Sequence, residues 1–439
     1  MMKNTQTLSL NSRMKKRIAI IGAGAMGLSA AYYAIKKGYR VSIFEVDRIP
    51  GGMAAHFDLD GMSIERFYHF ICKSDKHTFQ LLDDLCIREK LVWKETKMGY
   101  FISGKHYSWG NPLALLFFPL MNIFEKIRYG FFVFFLTKKK DFNDIEHLTM
   151  KDWMISKLGK RVYSLMWERL SKLKFYEYTD KISASWIATR IKRIGNSRKS
   201  IMKEELGYID GGSETLVNAL VKFIEKHDGE IFLSTQVKEV LSIDDSHMKV
   251  ITDKNEHTFE KVISTIPTPL ISKMVPQLTD DEKQNYDSIE NIGVVCVVHK
   301  IKKQITENFW LNIIDEDFEI PGIIEFSNLR KVDAGVVYVP YYMPITNIKF
   351  TKPDDFFINQ SRKYICKINK KIKKEDFLFS YVGRLKYSQP ICEPNFYEKI
   401  PSAQTSINGL QIADTCFYYP EDRGISESIG FAKKMVNNL

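Results

Sequence analysis

The run from Lys16 to Gly52, KRIAIIGAGAMGLSAAYYAIKKGYRVSIFEVDRIPGG, leaves few folds open to this chain. Arg17 to Ile21 has the pattern of a short buried strand and leads straight into Gly22-x-Gly24-x-x-Gly27. A helix is predicted from Met26 to about Lys37 with Gly38 as its stop, then a second strand from Arg40 to Phe44. Gly22 permits the tight turn, Gly24 lets backbone approach a pyrophosphate on the helix N-terminus, and Gly27 with Ala31 allows close helix-to-sheet packing. Glu45 ends the second strand, where a carboxylate accepts hydrogen bonds from ribose hydroxyls and repels a 2′-phosphate. A lone GxGxxG is weak; strand, helix and acid in register read as a dinucleotide-binding βαβ unit for FAD or NAD rather than NADP.

The 439 residues are enough for two or three domains, and 44% hydrophobic with 27% charged residues is an ordinary globular balance. Residues 1 to 13 are polar, without a signal peptide's apolar core, and read as a frayed tail before Met14, a second candidate start. The six cysteines are scattered, with no CxxC pair and no His/Cys cluster at ligand spacing, so reduced thiols, no metal site and a cytoplasmic protein are expected. Net charge is +11, with basic runs at Lys138 to Lys140, Arg190 to Lys203 and Lys367 to Lys374. Solvated faces explain these runs, and no nucleic-acid module accompanies them; an anionic surface is the other partner they suit.

Pro112 to Leu136, PLALLFFPLMNIFEKIRYGFFVFFL, is the most apolar stretch. Glu125, Lys126 and Arg128 divide it into two blocks, each short of the roughly 20 residues a membrane span requires. Two readings stand: helices buried over a lipophilic pocket, or a peripheral patch within 112–140 dipping into the inner membrane face with Lys138 to Lys140 at the head groups. Elsewhere, paired strands are predicted around Asp60-Gly61, a helix from Lys76 to Leu91, a hairpin turning at Ser103-Gly104, and a helix-rich stretch from Pro112 to about Arg198. A helix from Ser213 to His227 follows, then strands at Glu230 to Ser234, Met248 to Thr252 and Lys261 to Thr265. A strand-rich region begins at Gly293 with a helix near Phe356 to Ile372, and a last helix opens at Ile425.

The Gly22 to Ala31 glycine pattern, Gly38, Val41, Glu45 and the pair Gly51-Gly52 resemble the N-terminal signature of the flavin amine oxidase, phytoene desaturase and protoporphyrinogen oxidase superfamily. Val262 to Pro267 is similar to the family's strand returning to the flavin, preceded by Ser234 to Val237 beside the adenine. Gly409 to Asp414 and Pro420 to Ile429 are similar to the C-terminal motif, with Asp414 on the ribityl chain and a helix opening at Gly424-Ile425 toward the flavin. Glu65 to His69 and Gly207 to Leu216 look closest to a bacterial protoporphyrinogen-oxidase-like branch.

The resemblance implies an α/β fold: a Rossmann-type FAD-binding domain assembled from discontinuous segments (1–75, 206–270, 401–439), a helical insertion within 76–205, and a mixed-sheet substrate domain over 271–400. It implies FAD contacts at Gly22, Gly24, Ala25, Met26, Gly27, Glu45, Val46, Gly51, Gly52, Met53, Val237, Thr265, Asp414, Arg423, Gly424 and Ile425. Met53 departs from the Arg common after the paired glycines, so Arg66 or Arg423 must supply that contact. No flavin-facing Lys motif stands out; Lys300 is a poor candidate, which weakens amine oxidation.

Flavin carries the redox chemistry, so catalytic residues leave a faint signature. His69, Glu65 and Tyr68 are the candidates, against the plain alternative of structural groups. Trp310, Asn312, Glu325 and Asn328, and Tyr338, Tyr341 and Tyr342, fall on the substrate sheet; Arg190 and Arg193, one turn apart, either bind phosphate or form a solvated face. The expected activity is FAD-dependent dehydrogenation or oxidation of an amphiphilic substrate, a polyprenoid or lipid-linked sugar, with an unidentified electron acceptor. The alternatives are a non-redox flavoenzyme resembling UDP-galactopyranose mutase, a flavin amine oxidase, and a non-catalytic flavoprotein.

Overall fold

The structure, a computed structural model, describes residues 16–439; the tail and Met14 lie outside the described residues. Its first sheet has five strands in the order Glu230–Phe232, Arg40–Phe44, Arg17–Ile21, Lys261–Ser264, Leu410–Ile412, every neighbouring pair parallel. Parallel strands are covered on both faces and therefore read as near-continuous apolar runs, as Ile18, Ala19 and Ile20 do, all fully buried. The helix Ala25–Lys36 covers this sheet and packs on Ser213–Lys226 and Ile425–Asn437, so three distant stretches of chain converge at its start.

A second, mixed sheet has seven strands: Phe377–Pro390, Asn291–Ile301, Gly335–Met343, Gly322–Glu325, Trp310–Ile313, Met98–Ile102 and Lys105–Trp109. Only Trp310–Ile313 beside Met98–Ile102 is parallel; the hairpin after it turns through Ser103 and Gly104, both at positive φ, as a two-residue loop requires. Helices between Pro112 and Asn196 close over the end of this sheet, with Ile123–Lys138 packed on Ala184–Asn196 and Met150–Leu158. Among the described residues, no helix is long and apolar enough to cross a membrane.

One expectation needs correction. The helix expected from Lys76 to Leu91 ends at Asp84, and Leu91–Thr96 is a strand paired antiparallel with Lys203–Ile209. Cys86 at φ 55 breaks the helix, and the apolar run Leu91, Val92 and Trp93 is matched by a strand far along the chain. Val237–Ser242 is also a strand, one edge of a three-stranded antiparallel sheet with Met248–Thr252 and Glu256–Phe259.

Candidate cofactor and substrate site

At the glycine turn, Gly22 stands at φ +98 and its N–H donates to the Phe44 carbonyl at 2.8 Å. A Cβ on Gly27 would come 1.9 Å from the Gly22 oxygen, so only glycine lets the helix sit this close. Gly24 opens the helix Ala25–Lys36 with no side-chain cap and no acid in the first turn, and a Cβ there would meet nothing within 4 Å. First-turn N–H groups thus face open space, a ready anion site with Ala25 and Met26 at its rim. Gly51 takes φ +116 and donates to the Ala23 carbonyl at 2.8 Å; Gly52, exposed, lies against Gly24 with Met53 next in the same turn.

The Glu45 carboxylate is buried and fixed by the N–H groups of Ala23 (2.6 Å) and Asp47 (2.9 Å). Burial raises its pKa against the pull of these two donors. Val46 is 66% exposed beside it, and the Thr235 N–H donates to the Glu45 carbonyl at 2.8 Å, bringing the start of the Val237 strand to the same rim. Thr265 Oγ1 donates to the Ile21 carbonyl at 2.9 Å and packs on Gly22. Arg66 is ion-paired with Asp47.

At the other end, Asp414 accepts from the N–H of Thr268 (2.7 Å) and of Cys416 (2.8 Å), clamping two chain crossings together. Gly424 opens the helix Ile425–Asn437 without a side-chain cap. Arg423 donates to the carbonyl and the hydroxyl of Ser388. Arg190 pairs with Asp422 at 2.8 Å and Arg193 with Asp75 at 2.7 Å, which corrects the solvated-face reading: both guanidiniums turn inward. Two uncapped helix N-termini, the open cradle at Gly24 and the fixed Glu45 carboxylate fit an FAD molecule. Among the described residues no group of three His, Cys, Asp or Glu side chains could hold a metal.

Between the mixed sheet and the helices lies a cavity of about 640 Å³. Tyr68, Lys174, Arg190, Trp310 and Tyr342 line one part; Tyr100, Trp109, Tyr129 and Trp186 form walls; Pro112, Phe134, Lys138 and Ile201 line the part whose side chains also reach solvent. Tyr68 stands edge-on to Trp310, ring centroids 5.6 Å apart. Burial, with Tyr342 beside it, pushes the Tyr68 phenol well up, so it stays protonated and donates rather than acting as a base.

Of the three catalytic candidates, Tyr68 alone lines the cavity. Glu65 is corrected to a structural tie: it is buried, paired with Arg330 at 2.8 Å, and accepts the Ser213 N–H at 3.2 Å where the helix Ser213–Lys226 begins. His69 is half-buried and off the cavity wall; burial pushes its imidazole down to about 4, leaving it neutral, and its Nδ1 has no partner. Trp310 and Asn312 line the cavity, whereas Glu325 is taken by the N–H groups of Ile305 and Thr306, and Tyr341 packs on Phe357. Lys300 reaches Asp60, holding the hairpin there. Lys174 had no flag in the sequence: it sits among lysines and apolar residues with no motif around it.

The model of the family described as flavin containing amine oxidoreductase matches residues 27–381. Curated relatives include a 15-cis-phytoene desaturase of Synechococcus elongatus, 22% identical over 66% of this chain and 66% of its own length. A zeta-carotene desaturase of Solanum lycopersicum is also 22% identical, over 78% of this chain and 63% of its own. The chain spans about half to two thirds of the length of the curated relatives it matches. In fold it is similar to a protoporphyrinogen oxidase-like protein from Exiguobacterium sp. 255-15 (TM-score 0.72, 18% identity, covering 96% of this chain and 98% of that one). It is also similar to putrescine oxidase bound to putrescine (TM-score 0.72, 15% identity, 97% and 99% covered). With the family model covering most of its length, the chain belongs to the family of flavin containing amine oxidoreductases, with FAD as its cofactor.

Proposed function

We propose that this FAD-dependent oxidoreductase dehydrogenates or oxidises an amphiphilic, largely apolar substrate taken from a membrane surface, of the polyprenoid or lipid-linked kind. The observation that carries this is the cavity of about 640 Å³, walled by aromatic side chains and bordered by a helix whose outer face is also apolar. When bound, FAD supplies the two-electron acceptance. In this reading the Gly22 to Gly27 turn and Gly51-Gly52 hold the pyrophosphate, Glu45 holds the ribose, Val46, Met53, Val237 and Thr265 border the cofactor, and Asp414, Arg423, Gly424 and Ile425 meet the flavin end. The segments 1–75, 206–270 and 401–439 form the cofactor domain, 271–400 forms the substrate domain, and 76–205 the insertion. The cavity walls orient the substrate and exclude water, and Tyr68 donates a hydrogen bond at the reacting end.

Ile123, Phe124, Ile127, Phe131, Phe134 and Phe135 recur at helical spacing and are all exposed, Phe124 by 80% and Phe135 by 64%. Phe117 (75%) and Ile201 (74%) extend the patch, with exposed Lys138 and Lys140 beside it. An apolar stripe flanked by cations suits one leaflet of an anionic bilayer. Sedimentation with vesicles containing anionic lipid is therefore expected, and a Phe124→Asp/Phe131→Asp variant should lose it by about tenfold or more, each aromatic withdrawn from lipid costing ~1.5–3 kcal/mol. Phe132 is unsuitable for this test because it packs inward on Trp153 at 5.2 Å. Undiminished sedimentation by the folded variant would remove the membrane from the proposal.

The desaturase relatives are named for apolar polyenes and putrescine oxidase for a diamine. Lys174 and Arg190 at the cavity wall disfavour a cationic amine, which argues against the diamine. Anaerobic addition of membrane lipid extract should bleach the oxidised-flavin absorption, and polyamines should not. Bleaching by polyamines alone would return the protein to amine oxidation, and isomerisation of a sugar nucleotide only with reductant would make it mutase-like.

A further inference from the structure

Lys174 closes the short helix Arg169–Phe175 and presents its ammonium inside the cavity wall. Three aromatic rings hold it, with Nζ 5.0 Å from the Trp186 ring centroid, 5.2 Å from Phe175 and 5.5 Å from Tyr342. Cation–π contacts of this kind position a charge without neutralising it. Asp422 is the nearest opposing carboxylate, and it is already taken by Arg190 at 2.8 Å. Burial first, then the charges of Arg190 and Arg423, push the Lys174 pKa well below its ordinary value, with Asp422 opposing. Arg190 itself lies over Trp186 and Trp310, 5.7 and 5.9 Å from their centroids, on the same wall. Lys174 and Arg190 therefore share one carboxylate, beside the phenols of Tyr68 and Tyr342, on the wall of a chamber that is otherwise apolar.

The Lys174 amine keeps its proton in this apolar chamber only when a counter-charge arrives, because a buried ammonium without one costs free energy that a neutral hydrocarbon does not return. We propose that this end of the cavity is an oxyanion subsite, in which Lys174 and Arg190 receive the phosphate or carboxylate of an amphiphile whose apolar chain extends toward Phe134 and Ile201. The idea rests on the cavity being the substrate chamber and deepens that reading. The substrate is an anionic amphiphile bound head inward, and its reacting carbon lies near the anionic head instead of midway along the chain. Tyr68 and Tyr342 add hydroxyl donors to the same oxyanion.

The FAD-loaded enzyme is titrated with dodecyl phosphate, dodecanoate, dodecanol and dodecyltrimethylammonium, all below micellar concentration. Binding is read from the shift of the flavin absorption band and from tryptophan fluorescence. The better of the two anions is expected to bind about tenfold or more tightly than dodecanol, the size of one charge-assisted hydrogen bond, and the ammonium compound weakest. The anion that binds better identifies the head group as phosphate or carboxylate. Lys174→Met should cut the preference for that anion over dodecanol by about tenfold while leaving dodecanol within about twofold, since the apolar contacts remain; Lys174→Arg should keep the preference. Flavin content and thermal unfolding confirm that each variant is folded, and the wild-type ranking of the four compounds decides the matter even if one is not. Equal binding of dodecanol and both anions, or a preference undiminished by Lys174→Met, overturns the subsite and leaves the lipophilic chamber standing. Failure of every dodecyl compound to bind overturns the chamber itself.

Discussion

Gly27→Ala is expected to give an unstable protein without flavin, and Gly24→Val a stable protein without flavin. The two positions are three residues apart in one turn, yet their surroundings differ in kind. At Gly27 the added Cβ lands 1.9 Å from the Gly22 carbonyl oxygen and 3.0 Å from Thr265 Oγ1. The first obstacle is backbone, held by the Gly22 N–H to Phe44 bond, so relief requires the helix Ala25–Lys36 to move off its sheet. Overpacking of this sort costs about 3 kcal/mol or more. At Gly24 the backbone is extended, a conformation any residue adopts, and a Cβ meets nothing within 4 Å. Only a molecule occupying that space would be displaced. Thermal unfolding without added FAD, together with the flavin absorbance of the purified variants, separates the two effects. Full flavin content in Gly24→Val would mean that the pyrophosphate does not lie at this helix start, and an unshifted melting temperature for Gly27→Ala would contradict the close packing.

The second large effect is expected at the buried pair Glu65–Arg330. Burial alone would raise the Glu65 pKa; His56 and Arg330 outweigh it and hold the carboxyl at about 2, against an ordinary 4.5. A carboxyl lowered in the folded state stabilises the protein fully above its unfolded pKa, and the contribution fades as pH falls from 4.5 toward about 2. At ~1.4 kcal/mol per unit, that contribution is about 3 kcal/mol. Arg330→Met takes from the buried Glu65 carboxylate its guanidinium partner and leaves it to His56 and the Ser213 N–H at the start of the helix Ser213–Lys226, at a cost of about 3 kcal/mol near pH 7. Acid should narrow the gap, because protonated Glu65 no longer needs the guanidinium while the wild type loses its own increment. Urea unfolding of wild type and Arg330→Met at pH 7 and pH 3.5 measures it. A gap of equal size at both pH values would show that the arginine acts through packing and not through charge.

The strand, turn and helix start of the first βαβ unit were legible in the sequence. Gly22, Gly24, Gly27, Glu45 and Gly51-Gly52 lie within a few dozen residues, and their spacing alone implies a strand, a turn and a helix start. The strand Leu91–Thr96 was not legible, because its pairing partner Lys203–Ile209 is remote and its own apolar spacing also suits a helix end. Arg190 and Arg193 read equally as a phosphate site or a solvated helix face, since nothing near them in the chain announces Asp422 and Asp75 as partners. Phe131 and Phe132 are adjacent in an apolar run; packing on Trp153 turns one inward and leaves the other exposed.

By itself the sequence determined that a dinucleotide site of FAD type opens the chain, because a βαβ turn is specified by local backbone freedom: where glycine must be, and where an acid must end a strand. Tertiary structure alone decided that Glu65 braces a helix start, that Tyr68 meets Trp310 in a chamber, and that Lys174 stands in an aromatic box without a carboxylate of its own. Those facts depend on burial and on pairings between segments far apart along the chain. No local spacing encodes which distant side chain will arrive to neutralise a charge, or leave it for a ligand.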